Sequence, residues 1–346
     1  MYDLVTGKIK GPQGVFLRGC LFVLSLVYGA AVVVLAGFYR IRPMRFSAKV
    51  ISVGNITLGG TGKTTLVEYL SAKLSLAGNK VAVLSRGYKR DSRRPGAQGM
   101  GDEPAMLQKN LPLVQVIVDK NRIKAARKAI RDYASDVLIL DDGLQQWKIF
   151  KDLEIVTIDA QNPFGNYRIL PAGFLREPLS ALKRADIFVL TQVCSGQALS
   201  GLTAELKRIN SRALIVESSH EPKGFSRLDQ TGELSGPGFL QDKPAAIFSG
   251  IGNPDGFQKS VCGLGIKVAK YFKFPDHYDY TQADILRIIR EAKENNWEAI
   301  ITTQKDAVKV RELGVKGAEI LVLEIKLNIT KNEAEFNRRL LKLYSF

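Results

Sequence analysis

Residues 50–65, VISVGNITLGGTGKTT, constrain the fold more than any other stretch. The apolar run 50–53 leads into Gly54 and then into Gly59, Gly60, Thr61, Gly62, Lys63, Thr64 and Thr65, after which Leu66, Tyr69, Leu70 and Leu74 recur with helical spacing. The pattern reads as a strand, a glycine-rich turn and the first turn of a helix. Such a turn aims backbone N–H groups and a helix N-terminus at one point, which suits a triphosphate. Lys63 is placed to reach the β- and γ-phosphates, and the Thr64 hydroxyl to join a Mg²⁺ shell. Thr57 stands where G-x-x-x-x-G-K-[ST] has its first glycine. A glycine-rich turn with a chance Lys-Thr gives no reason for strand, turn and helix to fall in this order. A bound nucleoside triphosphate is the expectation.

The chain has 346 residues, 45% hydrophobic and 24% charged, enough for one large or two medium ordered domains. Fifty Lys and Arg against 34 Asp and Glu give a formal charge of +16. Anionic partners follow: nucleic acid, lipid head groups or a phosphorylated substrate. Cys20, Cys194 and Cys262 lie far apart without C-x-x-C spacing, which suits a reduced compartment and no metal or disulfide framework.

The N-terminus narrows the choice among anions. Residues 19–39, GCLFVLSLVYGAAVVVLAGFY, carry no charge, with Arg18 before them and Arg40, Arg42 and Arg45 after. As a helix this run rises about 31 Å, enough for a hydrocarbon core of about 30 Å. A cleaved signal peptide competes, since 34–36 resembles a cleavage site. The run is long for that purpose, and cleavage would export an ATP-dependent domain. A retained anchor over 1–45 is therefore expected. Flanking charge leaves orientation open; the phosphate loop requires a cytoplasmic catalytic part. Only about ten residues separate the anchor from the first strand, a placement that suits a lipid substrate.

Beyond the loop, apolar runs at 80–84, 113–118, 136–140, 153–158, 186–191 and 213–217 alternate with helical patterns such as 121–133 and 197–209. The expected fold class is α/β, a P-loop NTPase-type, mostly parallel sheet with helices on both faces over 46–225. Residues 226–243 read as a linker or hairpin. A smaller α/β domain over 244–330 follows, with strands at 245–249, 267–273, 298–303 and 318–324 and helices at 254–262, 281–294 and 306–312. A C-terminal amphipathic helix over 331–346 closes the chain.

Residues 137–143, VLILDDG, form a buried strand ending in Asp141 and Asp142, where phosphate-loop enzymes keep an acid for Mg²⁺. Asp102 and Glu103, in GDEP, serve equally well as N-capping acids by spacing alone. Arg86 and Tyr88 in SRGY, and Arg176 in LPAGFLREP, are candidate phosphate clamps beside turn residues. His277, in FPDHY, is one of only two histidines. Guanine recognition needs Asn-Lys-x-Asp; in Thr303-Gln304-Lys305-Asp306 the lysine is one place late, which favours adenine.

Together the segments GNITLGGTGKT, SRGY, GDEP, DDGLQ, LPAGFLREP, SGIGNPDGF, FPDHY and TTQKDAVK, in this order over residues 54–309, resemble the tetraacyldisaccharide 4′-kinase family. These membrane enzymes phosphorylate the lipid A precursor. The resemblance implies transfer of the ATP γ-phosphoryl group to the 4′-hydroxyl of a tetraacylated glucosamine disaccharide 1-phosphate. It implies Asp102 as general base paired with His277; since the two fall in different expected domains, His277 is expected to orient the base from the other domain, with domain closure completing the site. It implies a nucleotide and Mg²⁺ site at Gly62, Lys63, Thr64, Glu103, Asp141, Asp142 and Gln145, with Arg86, Tyr88 and Arg176 as substrate contacts. A glycolipid and the membrane are the partners implied, with no nucleic acid and no protein partner.

The chain departs from the family pattern at Leu144 and Gln146 in the DDG-Phe-Gln-His segment, and at Thr65, Phe174 and Tyr278. None of these removes the implied base or metal ligands. The reading from another class is a membrane-tethered ATPase or GTPase that drives transport or assembly and phosphorylates nothing. It shares the phosphate loop and the Asp141-Asp142 strand but needs no carboxylate–histidine pair.

Overall fold

The computed structural model describes residues 11–87, 100–194, 196–229, 234–315 and 319–343. The elements begin with α1 (Pro12–Arg40), β1 (Lys49–Gly54), α2 (Lys63–Leu76), β2 (Val81–Ser85), α3 (Asp102–Asn110), β3 (Gln115–Val118) and α4 (Arg122–Tyr133). Then come β4 (Val137–Asp141), β5 (Leu153–Asp159), β6 (Ile187–Thr191), α5 (Ser200–Ile209), β7 (Leu214–Arg227) and β8 (Leu234–Ser235). The chain continues through β9 (Pro244–Ser249), α6 (Pro254–Gly263), β10 (Lys267–Lys273), α7 (Gln282–Glu294), β11 (Ala299–Thr303), α8 (Gln304–Glu312), β12 (Ile320–Lys331) and α9 (Glu333–Leu341). Its contacts divide into two units, Met1–Arg86, Leu113–Ser219 and Ile329–Phe346 in the first, Gly87–Pro112 and His220–Asn328 in the second.

In the first unit the strands run parallel in the order β7-β6-β5-β1-β4-β2-β3. Period-2 alternation sends Val50, Ala82, Leu84, Leu138 and Leu140 into one cluster with Ala125, Ala126 and Ala129 of α4. Ile51, Val53, Val83 and Ile139 are just as buried, and α2 packs on β1, β2 and β4. Both faces are covered, as a parallel sheet requires. The strand carrying the phosphate loop lies between β4 and β5, so the loops after β1 and β4 emerge side by side at the carboxyl ends, where such sheets bind ligands.

α1 is long and apolar enough to cross a membrane. Ser25, Gly29, Val32 and Ala36, spaced along one face, are buried. Gly29 meets Ile169, and the Tyr28 hydroxyl donates to the Arg176 carbonyl at 3.2 Å. Phe22, Val23, Val27, Val34 and Phe38 stay exposed on the rest of the helix.

In the second unit β10-β9-β11-β12 pair in parallel. Ala245 and Ile247 of β9 pack with Phe257 and Val261 of α6, while Ala246 and Phe248 pack with Ile285 and Ile288 of α7. α7 opens on a capping box between Thr281 and Asp284.

The units depart from the expected boundaries in three places. Residues 87–112 join the second unit, because α3 buries Ala105, Met106 and Leu107 and packs on α8. The stretch expected as a linker is also part of that unit: β7 and β8 form its antiparallel hairpin, and Phe225 and Leu240 enter the core with Ala245 and Ile247. The C-terminal helix returns to the first unit, where Phe336 is fully buried and Lys73 donates to Asn337 at 2.6 Å.

Candidate active site

The first unit brings the residues expected to bind triphosphate together at the ends of β1 and β4. Gly62 takes φ 71° as the N-cap of α2, a left-handed conformation that glycine enters without cost. The loop is tied down from several sides. Thr61 Oγ1 lies 2.7 Å from Thr157 Oγ1, and the Thr191 hydroxyl donates to the Thr61 carbonyl at 3.0 Å. Asn55 Nδ2 donates to the carbonyls of Thr57 and Gly59, and Gln192 to that of Gly60. Thr65 donates to the Gly62 carbonyl at 2.8 Å, so its hydroxyl closes the first helical turn. Thr64 is half-buried beside Lys63. Lys63 Nζ donates to Asn55 Oδ1 at 3.0 Å and lies 3.6 Å from Asp142 Oδ1.

Gly143 lets the Asp141-Asp142 turn press against β1, since a Cβ there would collide with Ser52 Oγ and Leu140 Cβ. Asp142 itself sits at φ 57°, a region an aspartate tolerates better than most residues. Burial alone would push the Asp142 carboxyl up. Lys63 and Arg176 outweigh that and hold it below the usual carboxylate range. Asp141 accepts from Ser85 Oγ at 3.2 Å, and Arg122 donates to its carbonyl at 3.2 Å. Arg86, exposed just past β2, lies close enough for its charge to act on Arg122.

The segment carrying Arg176 is strapped to the phosphate loop by backbone bonds, Leu58 N–H to the Phe174 carbonyl and Arg176 N–H to that of Ile56, both 2.7 Å. Arg176 Nη1 therefore reaches Asp142 at 2.8 and 2.9 Å. The next residue, Glu177, is 1% exposed and accepts from both terminal nitrogens of Arg184 at 2.8 Å. It also accepts from Gln145 Nε2 at 3.1 Å and Trp147 Nε1 at 3.4 Å. Gln145 is thus fixed between Glu177 and the Asn55 carbonyl, 3.3 Å away.

The second unit builds a separate cluster around Asp102. The N-cap of α3 is Gly101 and no side chain caps that end, so Asp102 and Glu103 do not serve as caps. Asp102 Oδ2 instead lies 3.2 Å from His277 Nδ1 and 3.0 Å from Lys309 Nζ. Burial would raise the Asp102 carboxyl; the bonds from His277 and Lys309 overcome it and keep the group below the ordinary range. Glu103 pairs with Lys305 at 2.5 Å. His277 adopts φ 59° in the loop before α7, with its N–H bonded to the Gly250 carbonyl at 2.9 Å.

The expected residues thus divide between two groups. Gly59, Gly60, Thr61, Gly62, Lys63, Thr64, Thr65, Asp141, Asp142, Gln145 and Arg176 come together in the first unit, and Asp102, Glu103 and His277 in the second. The expectation that His277 reaches Asp102 from another domain is corrected, because α3 packs within the histidine's own unit. Tyr88 lies outside the described residues. Sequence reasoning passed over Asn55, Arg122, Glu177, Arg184, Lys305 and Lys309. Asn55, Glu177, Lys305 and Lys309 sit inside segments already singled out for their neighbours, which was the one signal available.

The family model for tetraacyldisaccharide-1-P 4′-kinase matches residues 17–345. A tetraacyldisaccharide 4′-kinase of Syntrophus aciditrophicus (strain SB) is 35% identical over 362 residues, covering 97% of this chain and 94% of that protein. One from Elusimicrobium minutum (strain Pei191) is 36% identical over 358 residues, with the same 97% and 94% coverage. The crystal structure of the "apo" form of LpxK from Aquifex aeolicus in complex with ATP superposes with a TM-score of 0.75 at 30% identity, covering 95% of this chain and 100% of that one. Matched over nearly its whole length in sequence and in fold, the chain belongs to the tetraacyldisaccharide 4′-kinase family.

Proposed function

We propose that this protein transfers the γ-phosphoryl group of ATP to the 4′-hydroxyl of tetraacyldisaccharide 1-phosphate, at the cytoplasmic face of the inner membrane. The observation that carries the reading is the Asp102 carboxylate, 3.2 Å from His277 Nδ1 and 3.0 Å from Lys309 Nζ. An ATPase or GTPase that phosphorylates nothing needs a phosphate loop but no such base. As the acceptor oxygen bonds to the γ-phosphorus, the bond from that phosphorus to the bridging oxygen breaks and ADP leaves. The hydroxyl proton passes to Asp102, helped by the hydrogen bond to His277.

The transition state is loose, so the rate comes mainly from positioning and charge neutralisation. Lys63 binds the β- and γ-phosphates, and the loop N–H groups cradle the chain of phosphates. Arg176, strapped to the loop, places a second cation beside them, and Arg86 contacts the substrate. Among the described residues no cluster of three His, Cys, Asp or Glu could hold a metal by itself. That fits Mg²⁺, which takes one or two carboxylates and completes its shell with water and phosphate oxygens. Thr64, Asp141, Asp142 and Gln145 would hold it. Bound there, Mg²⁺ would neutralise charge on the phosphates.

The exposed apolar residues of α1 suit a membrane anchor, and the +16 charge suits both an anionic bilayer and a phosphorylated lipid. The test is incubation with γ-labelled ATP and a panel of glycolipids. Label should appear on the tetraacylated disaccharide 1-phosphate and ATP turnover should be negligible without an acceptor. Steady phosphate release with no labelled lipid would overturn the assignment.

A further inference from the structure

Two opposite charges lie out of water in the first unit and take no part in the transfer as proposed. Lys151 Nζ donates to Glu154 Oε2 at 2.7 Å, and both side chains are 8% exposed. Burial works against each charge, pushing the Lys151 ammonium down and the Glu154 carboxyl up. Desolvation of such a pair offsets its mutual attraction, so stability alone gives little reason to keep it. Lys151 and Glu154 also fall outside every segment that carries the family resemblance.

The second bond of each partner leads to one turn. Glu154 lies beside Ser52 in the β1–β5 register, and its Oε1 accepts from Ser52 Oγ at 2.5 Å. Ser52 Oγ is the atom that a Cβ at Gly143 would approach to 2.4 Å. Lys151 Nζ donates to the Leu144 carbonyl at 3.2 Å. Leu144 sits so close to β1 that a Cβ at Gly54 would come within 2.5 Å of its nitrogen and Cβ. The Gly143 N–H completes the seat, donating to the Val53 carbonyl at 3.0 Å. The ion pair thus grips the two residues between Asp142 and Gln145, Gly143 through Ser52 and Leu144 directly.

We propose that Lys151 and Glu154 are positioning residues for the phosphoryl transfer, fixing the turn after β4 so that Asp142 and Gln145 keep their places in the site. This rests on the reading of that turn as part of the triphosphate site. Asp142 holds φ 57°, a conformation that a residue with a side chain keeps only where its surroundings over-determine it. The buried pair supplies that constraint. The Leu144 carbonyl cannot turn away without leaving the Lys151 ammonium short of a partner, and the Ser52 hydroxyl cannot rotate without abandoning Glu154. Arg184 Nη2, 3.5 Å from the same carbonyl, is already engaged by Glu177 at 2.8 Å. An apolar pair of similar bulk would fill the space and hold neither group.

The experiment compares wild type, the double variant Lys151→Met with Glu154→Met, Lys151→Arg and Asp142→Ala in the full chain. One readout is amide hydrogen exchange without nucleotide; the other is kcat and KM for ATP with the tetraacylated acceptor, per folded molecule. The double variant strands no charge, so the amides of β1 and β4 should exchange as in wild type. The Gly143 and Gln146 N–H groups, bonded at 3.0 and 2.9 Å, should become selectively exposed. Their protection should fall by about tenfold or more. In the same variant kcat should drop about 10²-fold, as a small misplacement in a site does, with KM for ATP nearly unchanged because Lys63 and its loop remain. Lys151→Arg keeps charge and donor and should stay near wild type in both readouts. If the double variant fails to fold, Lys151→Gln with Glu154→Gln replaces it, uncharged and shorter in its reach to the Leu144 carbonyl. Uniform loss of protection across β1, β4 and the turn, with kcat intact, would mean a pair that only stabilises the sheet and would overturn the inference. Near-normal kcat in Asp142→Ala would overturn the placement of the site at this turn, and this inference with it. An inactive Asp142→Ala beside full turnover in the double variant would overturn this inference alone.

Discussion

Lys63 and Arg176 converge on one carboxylate: Lys63 Nζ stands 3.6 Å from Asp142 Oδ1, and Arg176 Nη1 binds Asp142 Oδ2 at 2.8 Å. Two cations are thereby held at the carboxyl ends of β1 and β4, at the proposed triphosphate site. Neither lies in the hydrophobic core, so either can be removed without unfolding the unit. Lys63→Ala should cut kcat by orders of magnitude, since losing a preorganised charge contact of this kind costs about 3–4 kcal/mol of transition-state stabilisation. The measurement is kcat on protein shown to be folded. Near-normal turnover would remove the triphosphate site from this loop.

Asp102 and His277 should behave as one unit. General-base help is worth roughly 10²–10⁴-fold. Asp102→Ala should fall in that range, His277→Ala somewhat less, and the double variant little below Asp102→Ala. Strictly multiplicative losses would separate the two residues. The pH sign is fixed by the depressed Asp102 carboxyl. Its folded-state value lies below its unfolded one, so its contribution to stability is full above the ordinary aspartate value of about 3.9 and is lost as pH falls through the folded value. The base should stay ionised, and the rate profile flat on its acid side, below the ordinary carboxylate range.

Glu177 and Arg184 form a pair with side chains 2% and 11% exposed, which makes single and double replacements behave differently. Removing one partner strands a buried charge at a cost of about 3–5 kcal/mol. Glu177→Gln should therefore lower the unfolding midpoint sharply. Glu177→Met with Arg184→Met should recover much of that stability, because neither charge is then unpaired. Activity should stay low in the double variant, since methionine at 177 leaves Gln145 without its acceptor there and the loop presenting Arg176 without its tether. Denaturation and kcat on the same samples decide it; a stable, active double variant would assign the pair no part in the site.

Deleting residues 1–40 should leave ATP binding largely intact and slow the reaction with bilayer-embedded acceptor far more than with detergent-dispersed acceptor. One face of α1 packs on the core at Ser25, Gly29, Val32 and Ala36, so removal also uncovers Ile169. Gly29→Leu tests that seat separately, because a Cβ at Gly29 already comes within 3.2 Å of Ile169 Cδ1. It should loosen the helix while keeping its apolar surface. Equal losses in both acceptor formats after deletion would make α1 part of the catalytic fold.

Local sequence was enough for everything set by short-range periodicity. The run 50–65 specifies strand, loop and helix because apolar spacing and glycine placement act within a few residues. Val137 to Asp141 declares a buried strand ending in acids by the same logic. What periodicity does not carry is which side of a domain boundary a segment joins. Residues 87–112 leave the first unit because Ala105, Met106 and Leu107 find their burial on α8, some two hundred residues later. That long-range choice puts Asp102 beside its own unit's histidine and beside Lys309. Glu177 and Lys309 were illegible for one shared reason. A polar side chain reveals its task through partners far away in sequence, and burial makes those partners obligatory. Only the folded chain decides who they are.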